Sequence, residues 1–372
     1  MRSVDQPVKV LHIIDHLSEG GRERRMVELL KGISKSGLFD IVAVVLKRNV
    51  HYTEIFELPN VKVTVLERKT RRDPRIFFSL FQLSKEFNPD IIHTWSSMSS
   101  LYVIPIIKWL KIKFINGMIS NAKCVPMSNN HIRSKITFPF SDLILANSLA
   151  GARVYNAPEK KSRVIPNGFS FDRIQHIGTR EDMMKKFNIT TKYVIGMVGS
   201  VDHRKDYKTY VSAAIDVLSQ KNDITFLIIG TGDQMLYIKD MVPGKFSDRI
   251  LFLGRQKNVE SIINIFDIGV LTTYTEGISN AVMEYMALGK PVIVTEGGGT
   301  EEIVLNNRTG FIIDHASKSQ LIDKIHYLLE NPSDAKSMGL MGKKRITEEF
   351  NIQKMVNTTI DLYKDLLKDI AN

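Results

Sequence analysis

Cysteine is nearly missing from this chain of 372 residues: Cys124 stands alone, so no intrachain disulfide can form, and no Cys/His group has zinc-ligand spacing. A reducing cytoplasm is the compartment that such usage fits. No apolar run is long enough to span a bilayer. The opening MRSVDQP mixes charges and the VKVLHII after it is only strand length, so no targeting signal is expected. Low-complexity segments and short-period repeats are also missing. With 43% hydrophobic and 24% charged residues, the composition excludes collagen-like, wholly disordered and integral-membrane chains. The 51 basic residues outnumber the 40 acidic ones to leave +11 at pH 7, a field that attracts phosphate on nucleotides, nucleic acid or an anionic lipid surface.

What the chain does have is short β-branched runs alternating with amphipathic stretches, the pattern of repeated βαβ units and parallel sheets. In the first half the runs are 9–14, 41–46, 61–66, 91–94, 114–117, 143–146 and 163–165. The series starts afresh at 193–198 and continues through 225–229, 250–253, 268–271, 291–295 and 310–313. An α/β chain of two Rossmann-like domains is expected, meeting near PNGFSFDRIQHIGT (166–179), which is rich in turn formers and lacks apolar periodicity. Two helices, at 321–330 and 352–367, are expected to close the chain. Ligands of open α/β sheets bind beyond the carboxyl ends of the strands, so motifs are sought in strand-to-helix loops of two domains facing across a cleft.

The strongest such motif is TTYTEGISNAVMEYMALGKPVIVTEGGGTEEIV, residues 272–304. It leaves a strand, passes through Glu276 and Gly277, and enters a helix whose N-cap is Ser279 or Asn280. Unpaired N–H groups and the macrodipole at such a start favour a phosphate. Glu276 stands beside that anion site and Glu284 about two turns on, with Met283, Met286 and Ala287 toward the core. A carboxylate beside a phosphate is electrostatically costly, so its use is to accept hydrogen bonds from hydroxyls, which a sugar on a nucleoside diphosphate offers. The plainer alternative is a loop charge at Glu276 and an exposed helix face at Glu284.

Glu276 and Glu284 stand as the E-x7-E pair of retaining glycosyltransferases of family 4, and the string 276–304 resembles that family throughout. The resemblance implies the GT-B fold, a nucleotide-sugar donor, Glu276 on hydroxyls of the donor sugar and Glu284 on the nucleotide ribose. Gly277, Ile278, Ser279 and Asn280 become donor-binding candidates, and Gly297–Gly299 matches the family's glycine-rich turn. Upstream, VGSVDHRKDYK resembles the family's G-R-L-x-x-x-K-G, with Gly199 and Lys205 on the pattern and Ser200 in place of the arginine. Either the diphosphate meets one cation or Arg204 swings in as the second; both stay open. IIGTGDQM, with Gly230, follows the family's strand and G-x-G, and lacks the third glycine of a dinucleotide fingerprint. In the first half, HLSEGGRERR places Gly20 and Gly21 where backbone would approach the donor. Ser170 replaces the aspartate of N-G-x-D, the family's histidine after residues 114–117 is not found, and His93 is an acceptor-side candidate set against a structural strand-end histidine.

The resulting expectation is a retaining glycosyltransferase with an acceptor-side domain 1–168, completed by a C-terminal helix 352–372, and a nucleotide-sugar domain 169–351. Its donor would be a UDP-sugar and its acceptor a saccharide or lipid-linked saccharide; no cofactor, metal or nucleic acid is expected. The alternatives are a sugar-nucleotide hydrolase or epimerase on the same fold, and a non-catalytic basic module. For the latter, RKTRRDPR (68–75) offers phosphate contacts, set against a solvated loop; Lys108, Lys111 and Lys113 beside Trp109 and Leu110 offer a membrane-docking face that suits a lipid-linked acceptor, so a peripheral place at the inner membrane face accompanies the cytoplasmic one.

Overall fold

In the computed structural model, residues 6–18, 20–48, 50–70 and 73–368 are described. The chain divides into two compact units, Met1–Gly168 with Ile352–Asn372, and Phe169–Asn351.

The first unit is built on seven strands: β1 (Val8–Ile14), β2 (Phe39–Val45), β3 (Val61–Val65), β4 (Ile91–Thr94), β5 (Lys113–Ile119), β6 (Leu143–Ala146) and β7 (Ser162–Val164). They pair in parallel in the order β3-β2-β1-β4-β5-β6-β7. The second unit has six: β8 (Tyr193–Val198), β9 (Ile224–Ile229), β10 (Ile250–Gly254), β11 (Ile268–Leu271), β12 (Val292–Thr295) and β13 (Gly310–Ile313). These are parallel in the order β10-β9-β8-β11-β12-β13. The central strands read as near-continuous Val/Ile/Leu runs because helices cover both faces of each sheet. That signal locates all thirteen strands to within two residues at either end.

Three helices, not two, follow β13: Lys318–Glu330, Pro332–Glu349 and Ile352–Lys368. The middle one corrects the sequence reading. Pro332 starts it at a position where a missing N–H costs nothing, and its Gly339 and Gly342 are contact points. A Cβ on Gly339 would lie 2.0 Å from the Gly289 carbonyl oxygen, and one on Gly342 would meet Met286. The last helix returns to the first unit and buries Met355, Val356, Ile360 and Tyr363 in its core. Gly32 admits it there, since a Cβ would lie 2.3 Å from Val356.

Candidate active site

In the second unit the chain winds outward from β8 in both directions, so β8 and β11 meet at the point where the strand order reverses. In doubly wound sheets ligands bind beyond the carboxyl ends of the strands at that point, which makes the loops leaving β8 and β11 the place to look. Those two loops carry Gly199, Ser200, Arg204 and Lys205 on one side and Glu276, Gly277, Ile278 and Ser279 on the other. They are laced together: Asp206 N–H donates to Thr272 O at 3.0 Å, Thr272 Oγ1 to Asp206 O at 2.7 Å, and Tyr274 N–H to Arg204 O at 3.0 Å, while Lys205 and Thr273 form an antiparallel bridge. Asp206 also caps the helix Tyr207–Leu218 by accepting from Thr209 N–H.

The lacing brings Lys205 against Glu276, whose carboxylate accepts a hydrogen bond from Nζ. The lysine side chain is 10% exposed. Ser279 caps the helix Asn280–Ala287 by accepting from Val282 N–H, which resolves the N-cap in favour of Ser279 and leaves Asn280 as the first helical residue. Behind the Glu276–Gly277 turn, Gly298 has φ +63° and Gly299 N–H donates to Glu276 O at 3.0 Å. A Cβ on Gly298 would lie 2.1 Å from that oxygen, so the glycine turn exists to let backbone lie against backbone.

Arg204 points back toward the end of β8. Its guanidinium donates to Asp202 at 2.6 Å and to Ser200 Oγ at 3.2 Å. Hydrogen bonding to Asp202 raises the arginine above its ordinary range, with Glu276 adding to the effect. For Asp202, burial pushes the carboxyl up, but hydrogen bonds from Arg204 and Ser200 outweigh it and hold it at about 2. The guanidinium thus stands beside Ser200, the position where the family pattern has arginine.

Glu284 does not decorate an exposed face. It is 3% exposed, and Arg173 Nη2 donates to it at 2.6 Å while also contacting Glu260. Arg173 lies in the turn Phe171–Ile174, its guanidinium 5.0 Å from the ring centre of Phe169. Gly199 and Gly230 sit together behind the site, since a Cβ on Gly230 would lie 1.9 Å from Gly199 O. Gly230 therefore serves close packing of two strand-end loops. Gly277 and Ile278 complete the turn into the helix, with Ile278 buried.

In the first unit Gly20 precedes the helix Gly21–Ser34, at the carboxyl end of β1. Glu23 folds back over it, held by Arg22 at 2.7 Å and with His16 at 3.4 Å. His93 is a correction. It is 1% exposed, with Nδ1 bonded to the Tyr363 hydroxyl at 2.6 Å and its ring stacked on Trp95, so it is a core residue and offers no surface to an acceptor. Strand β4 is buried along its whole length, and alternation could not reveal which residues face solvent. Of the basic stretch 68–75, Arg71 and Arg72 lie outside the described residues, and Arg75 is bound to Asp73 at 2.7 Å.

Among the described residues no group of three or more His, Cys, Asp or Glu side chains could hold a metal ion. No helix there is long and apolar enough to cross a membrane. The second unit matches the family model described as glycosyl transferases group 1 over residues 179–345, and residues 19–173 match that of glycosyltransferase family 4. The chain belongs to the family 4 glycosyltransferases. This glycosyltransferase is 23% identical over 300 residues to the N-acetyl-alpha-D-glucosaminyl L-malate synthase of Bacillus anthracis, covering 78% of each chain. It is 25% identical over 329 residues, 80% of each chain, to the UDP-Gal:alpha-D-GlcNAc-diphosphoundecaprenol alpha-1,3-galactosyltransferase of Escherichia coli. Its fold is that of Anabaena HepE, solved with UDP and glucose, at TM-score 0.84 and 14% identity over 96% of this chain and 99% of that one. Sucrose-phosphate synthase of Thermosynechococcus elongatus gives TM-score 0.82 at 18% identity, over 97% and 100%. The glycosyltransferase accordingly has the two-domain GT-B architecture. Arg173, which bonds both Glu284 and Glu260, and Glu260 itself were not singled out from the sequence; the one available signal was a lone arginine in NGFSFDRI.

Proposed function

We propose that the second unit binds a nucleoside diphosphate sugar, with UDP as the nucleotide, and that the sugar passes with retention to a hydroxyl of a saccharide or lipid-linked saccharide brought by the first unit. The observation that carries this reading is the meeting of Lys205 with Glu276 at the strand-order reversal, beside the capped start of the helix that carries Glu284. Gly277, Ser279 and Asn280 at that start and Lys205 would face the diphosphate, Arg204 would join from beside Ser200, and Glu276 would accept from sugar hydroxyls. As the anomeric C–O bond breaks, its electron pair goes to the diphosphate, where these cations and N–H groups offset the growing charge. The acceptor oxygen forms the new bond on the same face and its proton goes to a diphosphate oxygen. No cofactor takes part.

UDP in the HepE structure and the UDP-Gal and diphosphoundecaprenol of the Escherichia coli relative support the choice of nucleotide and acceptor class. A lipid-linked acceptor also suits an anionic membrane at the cytoplasmic face. Trp109 is 74% exposed at the end of the helix Ser97–Leu110, Lys108 lies over the Phe140 ring, and Lys111 and Lys113 follow. Sedimentation with phosphatidylglycerol vesicles tests that contact, and retention by phosphatidylcholine vesicles alone counts against it.

The decisive experiment is thermal stabilisation by UDP and GDP followed by transfer of label from UDP-sugars to saccharide acceptors, with hydrolysis measured alongside. Glu284→Ala should lose UDP binding, whereas Glu276→Ala should lose turnover while keeping UDP. Label released only to water would make the protein a hydrolase. Unchanged binding and activity in both variants would overturn the site.

A further inference from the structure

We infer that Arg173 is a positioning residue for the nucleoside end of the donor, acting through Glu284. This rests on the reading of Glu284 as a nucleoside-hydroxyl acceptor and goes beyond it, because Arg173 lies outside both loops that form the site.

One nitrogen, Nη2, donates to carboxylates from two elements: Glu284, in the helix Asn280–Ala287 after β11, and Glu260, in the helix Val259–Ile263 before it. The side chains of Arg173, Glu260 and Glu284 are 18%, 12% and 4% exposed, so the cluster is withdrawn from water and its bonds are not readily exchanged for hydration. A glutamate has three side-chain torsions, and a carboxylate meant to receive hydroxyls in one geometry must have them fixed in advance. Arg173 fixes them for Glu284. Glu260 and the Phe169 ring fix Arg173 in turn: the ring lies under the guanidinium, and the Phe169 amide donates to Phe350 O at 2.7 Å. Without the guanidinium, two buried carboxylates would lie near each other with their shared partner gone, and Glu284 would leave its position.

The test measures UDP affinity by calorimetry on full-length protein, with the donor KM and kcat. Arg173→Met should weaken UDP binding and raise the donor KM by roughly tenfold or more while changing kcat much less, since the interaction lost belongs to binding. Arg173→Lys, which keeps the charge without the fork, should recover part of the affinity and guards against a Met variant that does not fold. In a Glu284→Gln background Arg173→Met should add little, because its effect passes through Glu284. A lowered melting temperature with unchanged UDP affinity would make Arg173 a stability element only and overturn the inference, as would a full additional loss in the Glu284→Gln background. If Glu284→Gln itself binds UDP normally, it is the nucleoside assignment that falls.

Discussion

Lys205 and Glu276 come from loops after two different strands and are bonded to each other across the mouth of the site. Each satisfies the other's charge, and on the proposed reading a donor would replace that bond with a phosphate for the lysine and hydroxyls for the carboxylate. Lys208, the second residue of the following helix, is exposed. Lys205→Ala should cut transfer by roughly two to three orders of magnitude, the scale of a lost oxyanion contact, and Lys208→Ala by less than about twofold. Steady-state rates with a UDP-sugar decide it: equal and mild losses would point to a diffuse basic surface.

Arg204 offers a sharper comparison, because its guanidinium lies beside Ser200 and is held by Asp202. If it is the second cation, Arg204→Ala should weaken UDP binding by about tenfold and reduce the dependence of binding on salt. Titrations at two ionic strengths would expose a single-cation site by returning wild-type affinity and salt response.

Turnover should survive EDTA. On the proposed reading, Lys205, Arg204 and the helix start at Ser279 would supply the positive charge that a divalent ion would otherwise bring to the diphosphate. Activity abolished by chelation and restored by manganese would contradict this.

What the sequence made legible follows from where its information is local. Parallel strands buried on both faces are unbroken apolar runs, and most of the candidate donor-site residues of the second unit sit in two loops short enough to read directly. Long-range pairings left no such trace: Arg173 is 87 residues from Glu260 and 111 from Glu284. The helix Pro332–Glu349 hid behind proline and glycines whose purpose is packing. His93 was misplaced because its partner, Tyr363, lies 270 residues away on the last helix.

Two neutral histidines in the first unit make its stability depend on acid. Trp95 Nε1 donates to His12 Nδ1 at 3.0 Å, and the two imidazole rings of His12 and His93 lie 5.1 Å apart in the core. Burial lowers His12 from 6.5 to about 3, and it lowers His93 well below 6.5, with His12 and Arg25 adding to the effect. Both folded values lie below the unfolded one, so the unfolded chain binds more protons once the pH drops under about 6.5. For His12 the stabilisation is complete above that pH and is lost on the way down toward about 3 at a limiting slope of about 1.4 kcal/mol per pH unit, and His93 adds in the same direction. At pH 5 His12 should have cost the fold about 2 kcal/mol relative to neutral pH. The chain's two tryptophans, Trp95 and Trp109, both belong to the first unit, so tryptophan fluorescence during urea unfolding follows that unit. His12→Gln keeps an acceptor for Trp95 and cannot titrate; it should lose about 2 kcal/mol less than wild type between pH 7.5 and 5. Paired carboxylates respond to acid alike in both proteins, so the difference isolates His12, and identical losses would show that this imidazole is not held neutral by its burial.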